Sequence, residues 1–227
     1  MTSDSDPVAA PAEGEGAPPS KEAIFNTALQ LFARQGFAAT GMRQIATEAG
    51  VNLATINYFY GSKVGLLRVI LETFSANFVD VLETNLAGDE APDVRIRRTV
   101  KAIAEYFSRQ PERVIITISE LPHDTPEIID LKLDMHHRLA AVFERHIFDR
   151  LDADLRERLP LALIGPAIAS LVASRFLFRP VVEKSRYAGY DPADIESYAE
   201  NIAELVLNGI SGLMAKNGGL MAKGKTS

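Results

Sequence analysis

The sequence predicts an all-α fold, a small three-helix unit followed by a larger helical domain, and three observations predict it. Apolar residues recur at spacings of three and four along most segments, the period of a helix with one buried face. Helix start and stop signals punctuate the chain: Pro92, Pro111 and the Asp191-Pro192 pair at starts, Gly36 and Gly50 at stops. Between Thr40 and Lys63, two short helical patterns meet at a glycine turn, the layout of a helix-turn-helix.

A chain of 227 residues, 47% of them hydrophobic, suits one such module plus a larger domain with a sizeable core. The lack of cysteine excludes disulfides and thiolate metal sites and fits a reducing cytosol. The net charge of −6 is unevenly spread, with −4 on residues 1–20, +3 on 21–68 and −5 on 69–227. The positive excess sits on the helix-turn-helix segment, where a polyanion would bind, and the acidic remainder discourages non-specific binding elsewhere.

Residues 1–20 are rich in Ala, Pro, Gly and acids, show no apolar period and read as a disordered tail. They lack the basic start and apolar stretch of a signal peptide. Ser20 is expected to cap a first helix, Lys21 to Gln35, with Ile24, Ala28, Leu31 and Phe32 as its stripe. Thr40 is placed as N-cap of the second, whose buried positions are Met42, Ile45, Ala46 and Ala49, and Gly50 takes the left-handed position at its end. Asn52 caps the third, Leu53 to about Phe59. Its Ile56 and Tyr60 face inward, leaving Thr55, Asn57, Tyr58 and Phe59 outside, a surface with two large aromatics and no charge pair. Ser62 caps a long helix from Lys63 to about Leu86, striped by Leu67, Ile70, Leu71, Phe74, Phe78, Val81 and Leu82. A cation in the first turn opposes the helix dipole, so Lys63 is read as sharing a bound phosphate with the amides of that helix start.

After a loop at 87–92, Pro92 opens a helix to Gln110, on which Arg95, Arg98 and Lys101 share one face. A solvated face is the favoured reading over a second nucleic-acid patch. Pro111 opens a short helix through Ile115, Ile116 and Ile118 to about Leu121, whose β-branched run has no partner strand. A helix from about Glu127 to Leu151 carries Asp130, Asp134 and His137 on one face, with Glu120 and His123 just upstream. That is read as a polar face rather than a metal site. The uncharged run Leu159 to Ser174 is too short to span a membrane, so it is read as a deeply buried helix with a kink at Pro166. A polar loop from Arg179 to Gly189 leads to the last helix, marked by Ile195, Tyr198, Ala199, Ile202, Val206, Ile210 and Leu213. The chain after Lys216 reads as a second disordered tail.

Residues 21–68 resemble the DNA-binding domain of the TetR/AcrR transcriptional regulators. The resemblance is carried by Ala28, Phe32, Gly36, Ile45-Ala46, Ala49-Gly50-Val51, the run Ile56 to Tyr60, and Gly61-Ser62-Lys63 with Leu66-Leu67. It implies a double-stranded DNA operator as partner, contacted by Thr40, Arg43, Thr55, Asn57, Tyr58, Phe59 and Lys63. The family often has Tyr where Asn57 stands and His or Tyr where Phe59 stands. Phe59 cannot donate to a phosphate, whereas the Asn57 amide can pair with an adenine edge. The resemblance further implies that the long helix joins the DNA-binding unit to an effector-binding and dimerisation domain, here 69–216. A C-terminal helix pair, Leu161 to Phe178 and Asp194 to Leu213, would form a four-helix bundle with a second copy. Apolar character nominates Phe74, Phe78, Tyr106, Phe107, Ile115, Ile118 and Phe143 as pocket residues, and hence a largely apolar effector.

Two other functions compete. An all-α enzyme lacks support, since there is no nucleophile elbow, phosphate-binding glycine loop or cysteine nucleophile. A ligand-blind architectural DNA binder would need less chain. The expectation is a cytoplasmic, homodimeric, ligand-responsive repressor released from a palindromic operator by a small effector, with no cofactor, metal or membrane partner.

Overall fold

The computed structural model describes residues 21–120, 126–150, 153, 156, 161–185, 191 and 194–222, and among them the chain forms helices and no strand. The expected Ser20 cap and the N-terminal tail lie outside these residues. Helices α1 (Lys21–Gln35), α2 (Met42–Glu48), α3 (Leu53–Tyr60) and the start of α4 (Lys63–Leu86) enclose one core. Ile24, Ala28, Leu31 and Phe32 of α1, Ile45 and Ala46 of α2, Ile56 and Tyr60 of α3, and Leu66 to Leu71 of α4 meet there. A second core forms between the rest of α4, α5 (Pro92–Arg109), α7 (Pro126–His146), α8 (Leu161–Val182) and α9 (Ile195–Ala222). Helix α4 passes from the first to the second between Leu71 and Phe74.

The first core reaches beyond its own segment. After α6 (Pro111–Ile115) the chain widens into a π-helical turn, Ile116–Glu120, and Ile116 is fully buried against the α1–α4 core. Ile128 and Leu131 of α7 join it. The β-branched run is thus helical, as the absence of a partner strand predicts, with one extra residue per turn.

The basic run on α5, Arg95, Arg97, Arg98 and Lys101, ties this helix to its neighbours. Arg95 is only 7% exposed, and it donates to the carbonyls of Leu86 (3.1 Å), Glu90 (3.2 Å) and His146 (3.1 Å), closing the C-termini of α4 and α7. Arg98 donates to the Asn85 and Ala87 carbonyls and pairs with Glu90. Arg97 pairs with Glu200 and Glu204, and Lys101 with Glu196, all on α9. The expected solvated face holds for Lys101, which is exposed, whereas Arg98 is half-buried and Arg95 buried, because these two reach the orphan carbonyls beside the end of α4.

Several boundaries differ from expectation. Helix α7 ends at His146 and is followed by a 3-10 turn, Phe148–Arg150, rather than continuing to Leu151. Helix α8 runs through Pro166 and on to Val182, so Arg179 to Val182 are helical and not loop. The i,i+4 pair of Arg179 with Glu183 supports that last turn. Helix α9 extends past Lys216 to Ala222. No helix among the described residues is long and apolar enough to cross a membrane.

Candidate nucleic-acid interface and effector cavity

The turn between α2 and α3 is built by backbone geometry. The Val51 N–H donates to the Ala46 carbonyl (2.9 Å) and the Gly50 N–H to the Thr47 carbonyl (3.3 Å), the pair of bonds that defines a Schellman end. Gly50 sits at φ 68°, which glycine adopts without a Cβ penalty. Asn52 then caps α3, its Oδ1 accepting from the Thr55 amide (2.8 Å) and the Thr55 hydroxyl (3.0 Å). Ile56 and Tyr60 turn inward, and the Tyr60 hydroxyl donates to the Lys21 carbonyl at 2.8 Å, tying α3 to the start of α1. Burial pushes the Tyr60 phenol above its ordinary pKa.

What faces out is Asn57, Tyr58 and Phe59, with Tyr58 84% exposed and its ring edge-on to Phe59 at 5.2 Å. Arg43 is exposed on α2. Thr55 is half-buried, and its hydroxyl proton is already given to Asn52.

Two residues assigned to DNA make their polar contacts within the domain. Thr40 is 1% exposed and donates to the Gly36 carbonyl at 2.8 Å; the N-cap of α2 is Gly41, with no side-chain cap bond. Thr40 closes the α1–α2 loop because the nearest orphan carbonyl belongs to the end of α1. Lys63 reaches back over the same loop. Its ammonium donates to the carbonyls of Phe37 (2.8 Å), Thr40 (2.9 Å) and Ala38 (3.4 Å) and lies 4.4 Å from the Phe37 ring centroid. Its three N–H donors thus meet three loop carbonyls. Burial lowers its pKa from the ordinary lysine value.

In the second core lies a cavity of about 400 Å³, within the range of small-molecule sites. Phe74, Phe78, Phe107, Ile118 and Phe143 of the nominated residues line it. Tyr106 and Ile115 do not. Tyr106 stands behind the wall, stacked on Phe74 and donating its hydroxyl to the Phe74 carbonyl at 2.8 Å, and Ile115 is a half-buried residue at the end of α6. Apolar character does not separate a cavity wall from the packing behind it. The sequence reading missed the polar members Thr117, His136, Glu144 and Ser170. His136, Ala140 and Glu144, four apart on α7, and Pro166 and Ser170, four apart on α8, are all exposed, so the mouth opens between these helices. That spacing was the available signal.

The face with Asp130, Asp134 and His137 assembles no site. Asp134 pairs with Arg138, and among the described residues no group of three or more metal-ligating side chains occurs. His123 and the Glu120 side chain lie outside them.

Comparison with known proteins places this geometry. Residues 19–70 match the sequence profile described as bacterial regulatory proteins, tetR family. The chain is 34% identical over 105 residues to an HTH-type transcriptional repressor, NicS, of Pseudomonas putida, a match covering 46% of this chain and 49% of that protein. The chain therefore spans about half the length of this curated relative. Among solved structures, the fold is similar to a TetR family transcriptional regulator, PfmR, of Thermus thermophilus (TM-score 0.55, 23% identity, 82% of this chain and 97% of that one). It is also similar to a transcriptional regulator, FadR, of Bacillus subtilis in complex with stearoyl-CoA (TM-score 0.61, 15% identity, 82% and 97% covered). At these identities the two structures bear on the fold.

Proposed function

We propose, from the match of residues 19–70 to the profile of the tetR family of bacterial regulatory proteins, that this chain is a cytoplasmic, DNA-binding transcriptional repressor and not an enzyme. The observation that carries the reading is the two-faced α3. One side is locked by Ile56 and Tyr60, and the other offers Asn57, Tyr58 and Phe59 to solvent. A short helix of this kind enters a major groove, where Asn57 reads an adenine edge and Tyr58, Phe59, Thr55 and Arg43 meet bases and backbone. Thr40 and Lys63 serve the interface by holding the loop ahead of α2.

The cavity receives a small, largely apolar effector that releases the operator. The B. subtilis neighbour is a regulator in complex with stearoyl-CoA, which supports a ligand-responsive reading. Dimerisation uses α8 and α9. Leu171, Phe178 and Val181 of α8 and Leu205 and Leu213 of α9 are large apolar side chains left exposed. A reader of a palindrome requires two copies, and sedimentation at micromolar concentration without DNA should give a dimer; monomer alone would overturn that part.

The test of the whole reading is selection of binding sites from random double-stranded DNA by the purified protein. A palindromic consensus is expected, and recovery of unenriched sequence would refute the proposal.

A further inference from the structure

Resting on the reading of the cavity as the effector site, we infer that it selects an apolar cation over an anion of the same size and shape. Its aromatic wall is the first reason. Phe74 and Phe78 lie nearly parallel, 12° apart with centroids at 6.2 Å, and Phe107 stacks on Phe74 at 6.1 Å. The face of a phenyl ring is electron-rich, so it attracts a desolvated cation and repels a carboxylate.

The charge of the wall is the second reason. Among the described residues lining the cavity there is no lysine or arginine, and Glu144 is the one carboxylate. Glu144 pairs with Arg156, but Arg156 is shared with Asp149 at 3.3 Å, so two carboxylates divide one guanidinium beside the mouth. The other titratable group on the wall is His136, two turns away along α7 and exposed. An entering anion meets the Glu144 carboxylate, whose countercharge is shared with Asp149, and loses its water to an apolar wall. A cation gains Glu144 at the mouth and a wall lined by four phenyl side chains, Phe74, Phe78, Phe107 and Phe143, inside. The N-terminal dipole of α8 does not reverse this balance. The α8 lining begins at Gly165, a full turn inside the helix, and the dipole fades within its first turn.

The polar share is small, so the ligand is a monocation on an apolar body. Thr117 spends its hydroxyl proton on the Arg113 carbonyl at 2.7 Å, and Ser170 stands at the exposed rim. Neither offers a second charged anchor.

The test is calorimetric titration of the full chain with three probes on one ten-carbon chain: decyltrimethylammonium, decan-1-ol and decanoate. The expected order is cation, then alcohol, then carboxylate, with about tenfold or more between the first and last. Glu144→Gln should narrow the gap between cation and alcohol while leaving decanol binding in place. Ala140→Phe, which sets a ring across the mouth, should remove all three heats; binding that survives it is elsewhere and counts against the inference. Decanoate binding as tightly as the ammonium, through a site that Ala140→Phe closes, overturns the inference and spares the effector-site reading. No binding of any probe to the folded chain overturns that reading, and the inference with it.

Discussion

Lys63 and Asn57 sit six positions apart and should fail in different ways. Lys63 holds three loop carbonyls, so Lys63→Ala strips a charged donor from each and should lower stability by about 1–3 kcal/mol. The measurement is the urea midpoint. A variant that melts like the parent while losing one unit of salt slope in DNA binding would restore Lys63 to a phosphate. Asn57 is exposed and off the core face, so Asn57→Ala should melt unchanged, cost about 1–3 kcal/mol on the selected operator and hardly alter binding to random DNA. Equal losses on both DNAs would show that Asn57 touches backbone. The sequence made the outward facing of Asn57 legible and the loop contacts of Lys63 not, for a physical reason. The facing of α3 follows from Ile56 and Tyr60 close by, whereas the partners of Lys63 lie 23–26 residues upstream.

Among the elements, α5 is the one whose cations have the least interchangeable roles. Arg95 closes α4 and α7 from a buried position, and its removal leaves the Leu86 and His146 carbonyls without that donor. Arg95→Met should destabilise by about 3 kcal/mol or more, since unsatisfied buried acceptors carry their full desolvation cost. Arg97, one turn-face away and paired with exposed glutamates of α9, should cost less than about 1 kcal/mol as Arg97→Ala, shrinking further in salt. Thermal melts of the two variants at low and high ionic strength separate them; similar losses would mean the burial of Arg95 is unimportant. The helices themselves were legible because Pro92, Pro111 and the apolar stripes are local signals. The ends of α8 and α9 were not, because α8 runs on through Pro180 and α9 through Asn217-Gly218-Gly219, residues that read as helix breakers in the sequence.

At the scale of the whole molecule, the cavity and the proposed DNA-reading surface share three connections, one of them α7, which carries Ile128 and Leu131 in the first core and Met135 in the cavity wall. Helix α4 carries Leu71 in one core and Phe74 in the cavity wall, and the π turn puts Ile116 in the first core while Thr117 and Ile118 face the cavity. An effector should therefore weaken operator binding about 5–150-fold, and operator DNA should weaken effector binding by the same factor. Identical effector titrations with and without operator would exclude the coupling. Shared burial also governs how transferable the DNA-reading head is. A fragment ending near Leu71 would leave holes where Ile116, Ile128 and Leu131 had stood, and should be far less stable than the intact chain. A chimaera grafting this head onto a relative's ligand domain should fold only if the recipient supplies three apolar side chains of matching volume. The boundary across which parts of this protein can be exchanged follows the shape of its first core and not the order of its residues.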